Sequence, residues 1–135
     1  MQRRAVIRGA GVVAMVFGAL TIWSGGNVLF GNGAPAAGKY VPFVVWFNFL
    51  AGFAYVAAGA GLWLKRVWAA RLAAALAIAT LFVFAAFAVH IATGGAFEAR
   101  TVGAMTLRSF FWLGVATLAC ASLGCLRHRA MCARR

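Results

Sequence analysis

The chain has 135 residues, 65% of them apolar and 10% charged, with 13 Lys and Arg against one acidic residue and a formal net charge of +12. A soluble domain of this length cannot hide so much apolar surface in one core, so the composition argues against a water-soluble fold and for one membrane domain. The basic residues separate long apolar runs and form no continuous basic face, which argues against nucleic-acid binding and matches the charge found beside membrane spans.

Four runs reach the roughly 20 residues that a helix needs to cross the hydrocarbon core. The first, residues 9–30, follows Arg3, Arg4 and Arg8 and ends at Gly31, Gly33 and Pro35. It is longer than the roughly 7–15 apolar residues of a cleaved signal, although Ala34-Pro35-Ala36 loosely resembles a cleavage site, so a retained helix is expected. The second, 41–64, is separated from the third, 72–93, by Lys65, Arg66 and Arg71, a connection short enough to make them antiparallel neighbours. Gly94 and Gly95 close the third, and the fourth covers 109–126, ending at Arg127 and Arg129. A spanning segment must satisfy its own backbone, and barrel-like alternation is absent. The expected fold is therefore all-α: an integral membrane four-helix bundle in a single domain, 1–135, with connecting loops 31–40, 65–71 and 94–108 and a tail 127–135.

Orientation follows from charge. Arg3, Arg4, Arg8, Lys65, Arg66, Arg71, Arg127, Arg129, Arg134 and Arg135 fall on one side, and Lys39, Arg100 and Arg108 on the other. This excess predicts both termini in the cytoplasm, two outward loops, and a multi-pass protein of the bacterial cytoplasmic membrane. The tail arginines Arg127, Arg129, Arg134 and Arg135 are expected to contact anionic lipid headgroups, at about 1 kcal/mol each. Cys120, Cys125 and Cys132 lie toward that side, so reduced thiols are expected.

Small residues mark packing faces, Ala51, Ala54, Ala58 and Gly61 in the second helix and Ala85, Ala88 and Ala92 in the third. Trp23, Trp46, Trp63, Trp68 and Trp112 mostly lie toward span ends and suggest an interfacial belt.

Polar chemistry concentrates on the outward side. His90 is the one ionisable residue well inside a run, about a turn from the outer end of the third helix, and such residues are often functional. Asn27, Asn48, Glu98, Arg100 and Arg108 lie at similar depth or in the adjoining loop, so these six residues form a candidate outward-face polar site. Histidine with a carboxylate and arginines can handle a proton, an anion or a quinone headgroup. The plainer reading stands beside it: His90 as a hydrogen-bonded structural residue, Glu98 paired with Arg100 or Arg108 at the surface, and the asparagines bridging helices.

Other chemistries are disfavoured. His90 and His128 lie on opposite membrane sides and cannot share a haem within one subunit. Cys120 and Cys125 are turned about 140° apart on a helix, so no metal site is expected from them with His128 and Cys132. No phosphate loop, nucleophile elbow or HExxH motif is present, and no run contains the carboxylate of a proton pump.

The stretch from Asn48-Phe49-Leu50-Ala51-Gly52 through Gly59-Ala60-Gly61-Leu62, the turn Lys65-Arg66, Arg71-Leu72-Ala73-Ala74-Ala75 and the closing Ala88-Val89-His90 resembles the central part of the DoxX-like family of small four-helix membrane proteins. The resemblance covers about a third of the chain. It implies association with redox systems, as a subunit of a thiosulfate:quinone oxidoreductase or as a partner in assembling periplasmic redox enzymes, and it singles out His90. The family's typical Glu falls here on Asn48, which removes that proton carrier. The expected function is an accessory or partner membrane subunit of a bacterial redox or quinone-linked system, not an enzyme on its own, with quinone the one cofactor to consider and a second copy or a redox protein as partner. The rivals are a small oligomeric transporter or channel-like protein for a neutral or anionic solute, and a structural anchor.

Overall fold

The computed structural model describes residues 2–33, 35 and 38–123, which form four helices: α1 (Gln2–Phe30), α2 (Pro42–Trp63), α3 (Val67–Ala92) and α4 (Ala99–Leu123). All four are long and apolar enough to cross a membrane, with lengths from about 33 Å for α2 to about 43 Å for α1 at ~1.5 Å per residue.

Three helices begin earlier than the apolar runs. α1 starts at Gln2 instead of 9, α3 at Val67 instead of 72, and α4 at Ala99 instead of 109. The expected loop 94–108 therefore shrinks to 93–98, and Arg100, Thr101 and Arg108 sit on a helix. Hydropathy marks where a chain enters hydrocarbon, whereas a helix is set by backbone hydrogen bonding. Arginine is a good helix former whose long stem carries its charge along the surface. α2 starts close to its expected boundary because Pro42 occupies its first position, where the missing N–H costs nothing and φ is already helical.

Two tight turns reverse the chain in the same way. At the end of α2, Lys65 N–H donates to Leu62 O at 3.0 Å and Arg66 N–H to Gly61 O at 2.8 Å, with Lys65 at φ 55°. At the end of α3, Gly94 N–H donates to Ile91 O at 3.0 Å and Gly95 N–H to His90 O at 2.9 Å, with Gly94 at φ 84°. Both are Schellman closures with a left-handed residue, but only the second uses glycine. Lys65→Gly is expected to stabilise the protein by about 1 kcal/mol, and Gly94→Ala to destabilise it by a similar amount. Thermal unfolding in detergent reads both signs. Desolvation, with Arg8 and Arg4 nearby, holds the Lys65 ammonium below the usual lysine range, so the basic residues at this end act on one another.

α1 and α2 pack backbone to backbone. Gly11, Gly18 and Gly25 are all buried at seven-residue intervals on α1. A Cβ on Gly11 would meet Gly59 O at 2.7 Å, and one on Gly18 would meet Gly52 O at 2.8 Å, while Gly25 faces Phe49. This close approach gives the pair continuous dispersion contact, the kind that holds helices together where no hydrophobic effect drives them.

α2 uses Ala51, Ala58 and Gly61 as buried positions, with Ala54 half-buried. The small face expected at Ala85, Ala88 and Ala92 is exposed instead, and α3 packs through Ala69, Ala70, Ala73 and Ala77. Small size permits either face, and the Lys65 turn aims the start of α3 at Gly61, where Ala69 and Trp68 meet it. Each helix packs on its neighbour in sequence, and α4 returns toward α1, which it touches only sparsely.

Four tryptophans, Trp23, Trp46, Trp63 and Trp68, are exposed, but Trp112 is fully buried, which removes it from the expected belt. The early start of α4 moves Trp112 from a span end to its middle, where its ring lies 4.6 Å from that of Tyr55. Cys120 is disulfide-bonded, which overturns the expectation of a reduced thiol there. That expectation rested on compartment chemistry, which is silent on proximity. Cys125, Cys132, His128 and the four tail arginines lie outside the described residues.

Candidate functional site

At the end of the bundle where α1 and α3 finish and α2 and α4 begin, a half-open cavity of about 630 Å³ lies between α1, α2 and α4. Five of the six residues singled out by sequence line it: Asn27 from α1, Asn48 from α2, Glu98, Arg100 and Arg108. His90 is not among them. Its Nε2–H donates to Ala96 O at 3.2 Å, its ring meets Phe43 edge-on at 6.2 Å, and it lies against Gly95 so closely that a Cβ there would run into it. A carbonyl can only accept, so Nε2 carries the proton in this contact. The geometry makes His90 the post around which the 93–98 turn is folded.

Glu98 immediately precedes α4. Its carbonyl accepts from the N–H groups of Thr101 at 2.9 Å and Val102 at 3.4 Å. Its carboxylate sits at the positive end of the helix, a favourable place for an anion, and accepts from Lys39 N–H at 3.0 Å. Gly38, at φ 65°, presses against the same carboxylate and leaves no room for a Cβ. The only acidic side chain of the sequence thus ties the 31–41 connection to the start of α4. Glu98→Gln is expected to cost about 1 kcal/mol through the lost charge-assisted bond and helix-end interaction, and to speed proteolysis around residues 38–40. An unchanged cleavage rate would show that the carboxylate holds nothing.

Arg108 lies ten residues further on, about 15 Å along the helix, and only 7% of its surface is exposed. Nη2 donates to Thr21 Oγ1 at 3.5 Å and Nη1 to Met105 Sδ at 3.6 Å, both long contacts. The guanidinium lies 5.6 Å from the Phe17 ring centre and 5.9 Å from that of Tyr55. Thr21 donates its own proton to Phe17 O at 2.7 Å, which leaves its lone pairs for the arginine. Among the described residues Arg108 Nε has no hydrogen-bond partner, and neither has Asn48 Oδ1. The cavity therefore runs from the Glu98 end inward to a buried cation beside unsatisfied polar atoms.

Beneath the cation the polar atoms continue. The Tyr55 hydroxyl faces Thr80 and the Trp112 indole, yet none of the three polar atoms has a partner of hydrogen-bonding geometry among the described residues. Phe17 and Phe111, with ring centres 4.9 Å apart, close the α1–α4 seam at this level. A second recess of about 370 Å³ opens on the same seam at the opposite end, between Gln2, Arg3 and Val6 of α1 and Leu118, Ala121 and Ser122 of α4.

Sequence reasoning missed Thr21 and Tyr55. A signal for Thr21 exists: it falls between Gly18 and Gly25 at helical spacing and so shares their buried face. No family model, curated protein or solved structure matches this chain.

Proposed function

We propose that the protein is a non-catalytic accessory subunit of a bacterial quinone-linked redox system, of the DoxX-like kind. It lies in the cytoplasmic membrane with both termini inside and the cavity facing outward. The observation that carries this reading is the half-open cavity with Arg108 at its inner end and Asn48 on its wall, within four helices of membrane-spanning length. A quinone headgroup brings carbonyl acceptors for the guanidinium and a flat ring for Trp23 and Tyr40 on the cavity wall. Its apolar tail has an exit through the sparsely packed α1–α4 seam. The position where the family carries a carboxylate is Asn48, which lines the cavity and cannot carry a proton, in keeping with binding rather than catalysis. A redox protein or a second copy would meet the exposed aromatic surface.

Protein purified from its own membranes in mild detergent is expected to retain quinone, and to bring a redox partner with it. Absence of quinone and flavin together with no copurifying partner would remove the reading.

One observation favours a second reading, an oligomeric transporter for an anionic solute: two recesses lie on one seam with Phe17 and Phe111 between them. Anion flux into proteoliposomes separates the two, since an accessory subunit carries none.

A further inference from the structure

Arg108 is a cation without an anion. The sequence has a single acidic side chain, and that carboxylate is engaged about 15 Å away along the helix with the backbone of Lys39. Among the described residues the remaining partners of the guanidinium are a hydroxyl, a thioether and two ring faces, all neutral. Ring faces and hydroxyls attract a cation but do not cancel its charge, and a charge taken out of water without a counter-ion is strongly penalised. Such a residue normally faces a pathway or a ligand.

The surroundings fit a ligand. Arg108 and Asn48 both line the cavity, and each carries a buried atom without a partner among the described residues, a donor Nε and an acceptor Oδ1. An oxyanion takes the donor, and a neighbouring hydroxyl of the same molecule satisfies the acceptor. At about 630 Å³ the cavity is far larger than a bare halide needs, and Ser24, Asn27 and Thr101 on its walls offer further hydrogen bonds to a polar headgroup.

We infer that Arg108 is the anion-coordinating residue of a binding site for a phosphate- or carboxylate-bearing molecule. The oxyanion sits on the guanidinium, and a hydroxyl beside it donates to Asn48. This deepens the reading of the cavity as the ligand site, and its chemistry differs from that of a neutral quinone. The oxyanion comes either from a soluble molecule or from a lipid headgroup whose chains leave by the α1–α4 seam.

The test measures the thermal midpoint and tryptophan fluorescence of the full chain in zwitterionic nanodiscs. One arm titrates inorganic phosphate, a second hexanoate, and a third phosphatidylglycerol doped into the disc. The wild type is expected to give a saturable rise of a few degrees with at least one probe. A soluble source responds to the first two arms, and a lipid source to the third alone. Arg108→Gln is expected to weaken the response about tenfold or more. Arg108→Lys should keep most of it, and Arg71→Gln, an exposed cation at the far end, all of it. An equal response from Arg108→Gln overturns the inference. So does a wild type that responds to no probe, a result that does not depend on any variant folding. Quinone binding is followed in parallel: quinone without anion binding sinks this inference and leaves the proposed function standing, and the reverse result does the opposite.

Discussion

In the Gly59→Leu protein, α1 is expected to lose its seat on α2, with a loss of about 3 kcal/mol or more in stability. A Cβ at Gly59 would stand 2.6 Å from Gly11 O and 2.8 Å from Met15 N. Both are backbone atoms of a helix and cannot swing aside as a side-chain tip can. The helices must separate, and the dispersion contact that holds them in lipid falls off steeply with distance. The damage extends to the site, because Thr21 and Asn27 are carried by α1 and would move away from Arg108 and Asn48. Gly103 and Gly114 are the controls: a Cβ at either meets nothing within 4 Å, so alanine there should be neutral or stabilising by about 1 kcal/mol through helix propensity. Thermal unfolding of the three variants decides the point. A Gly59→Leu midpoint equal to that of Gly114→Ala would mean that α1 and α2 do not meet through their backbones.

Arg108→Met is expected to have the opposite sign. In ligand-free protein it should raise stability by about 1–2 kcal/mol, because the cost of a guanidinium within a span exceeds what the contacts with Phe17, Tyr55 and Thr21 return. Methionine keeps much of the apolar stem and fills the gap flexibly. In the presence of a saturating anionic ligand the order reverses, since only the wild type gains from binding. A residue that destabilises the empty protein and stabilises the filled one is placed for binding. If Arg108→Met lowers the midpoint without ligand, the arginine is a structural bridge between α4 and α1.

The four helices were legible because each apolar run falls within the roughly 17–25 residues a spanning helix uses, and the end of α3 was legible because Gly94 and Gly95 have a local meaning. The starts of α1, α3 and α4 were not. Arg3, Arg8, Arg71, Arg100 and Arg108 are polar enough to end an apolar run and helical enough to continue a helix. That one ambiguity moved Trp112 from an interface to the core and Arg108 from a loop to the inside of the bundle. The convergence of Asn27, Asn48, Glu98, Arg100 and Arg108 was readable from depth alone, since residues at one end of four spans must lie near one another. The departure of His90 was not, because depth says nothing of the direction around a helix, and the Gly94 turn brings Gly95 and Ala96 back over the ring. The α3 packing face was misjudged for a similar reason: an Ala-rich helix presents small residues on every side.

The central claim is a membrane-embedded bundle whose outward cavity leads to a buried cation. Cysteine accessibility in intact cells tests it most directly, with the three native cysteines replaced by serine. Ser24→Cys, on the cavity wall, is expected to react from outside with a membrane-impermeant thiol reagent, and faster with a negatively charged reagent than with a positively charged one. Arg71→Cys should react only after permeabilisation. Labelling of Arg71→Cys in intact cells, or a Ser24→Cys that prefers the positive reagent, would contradict it.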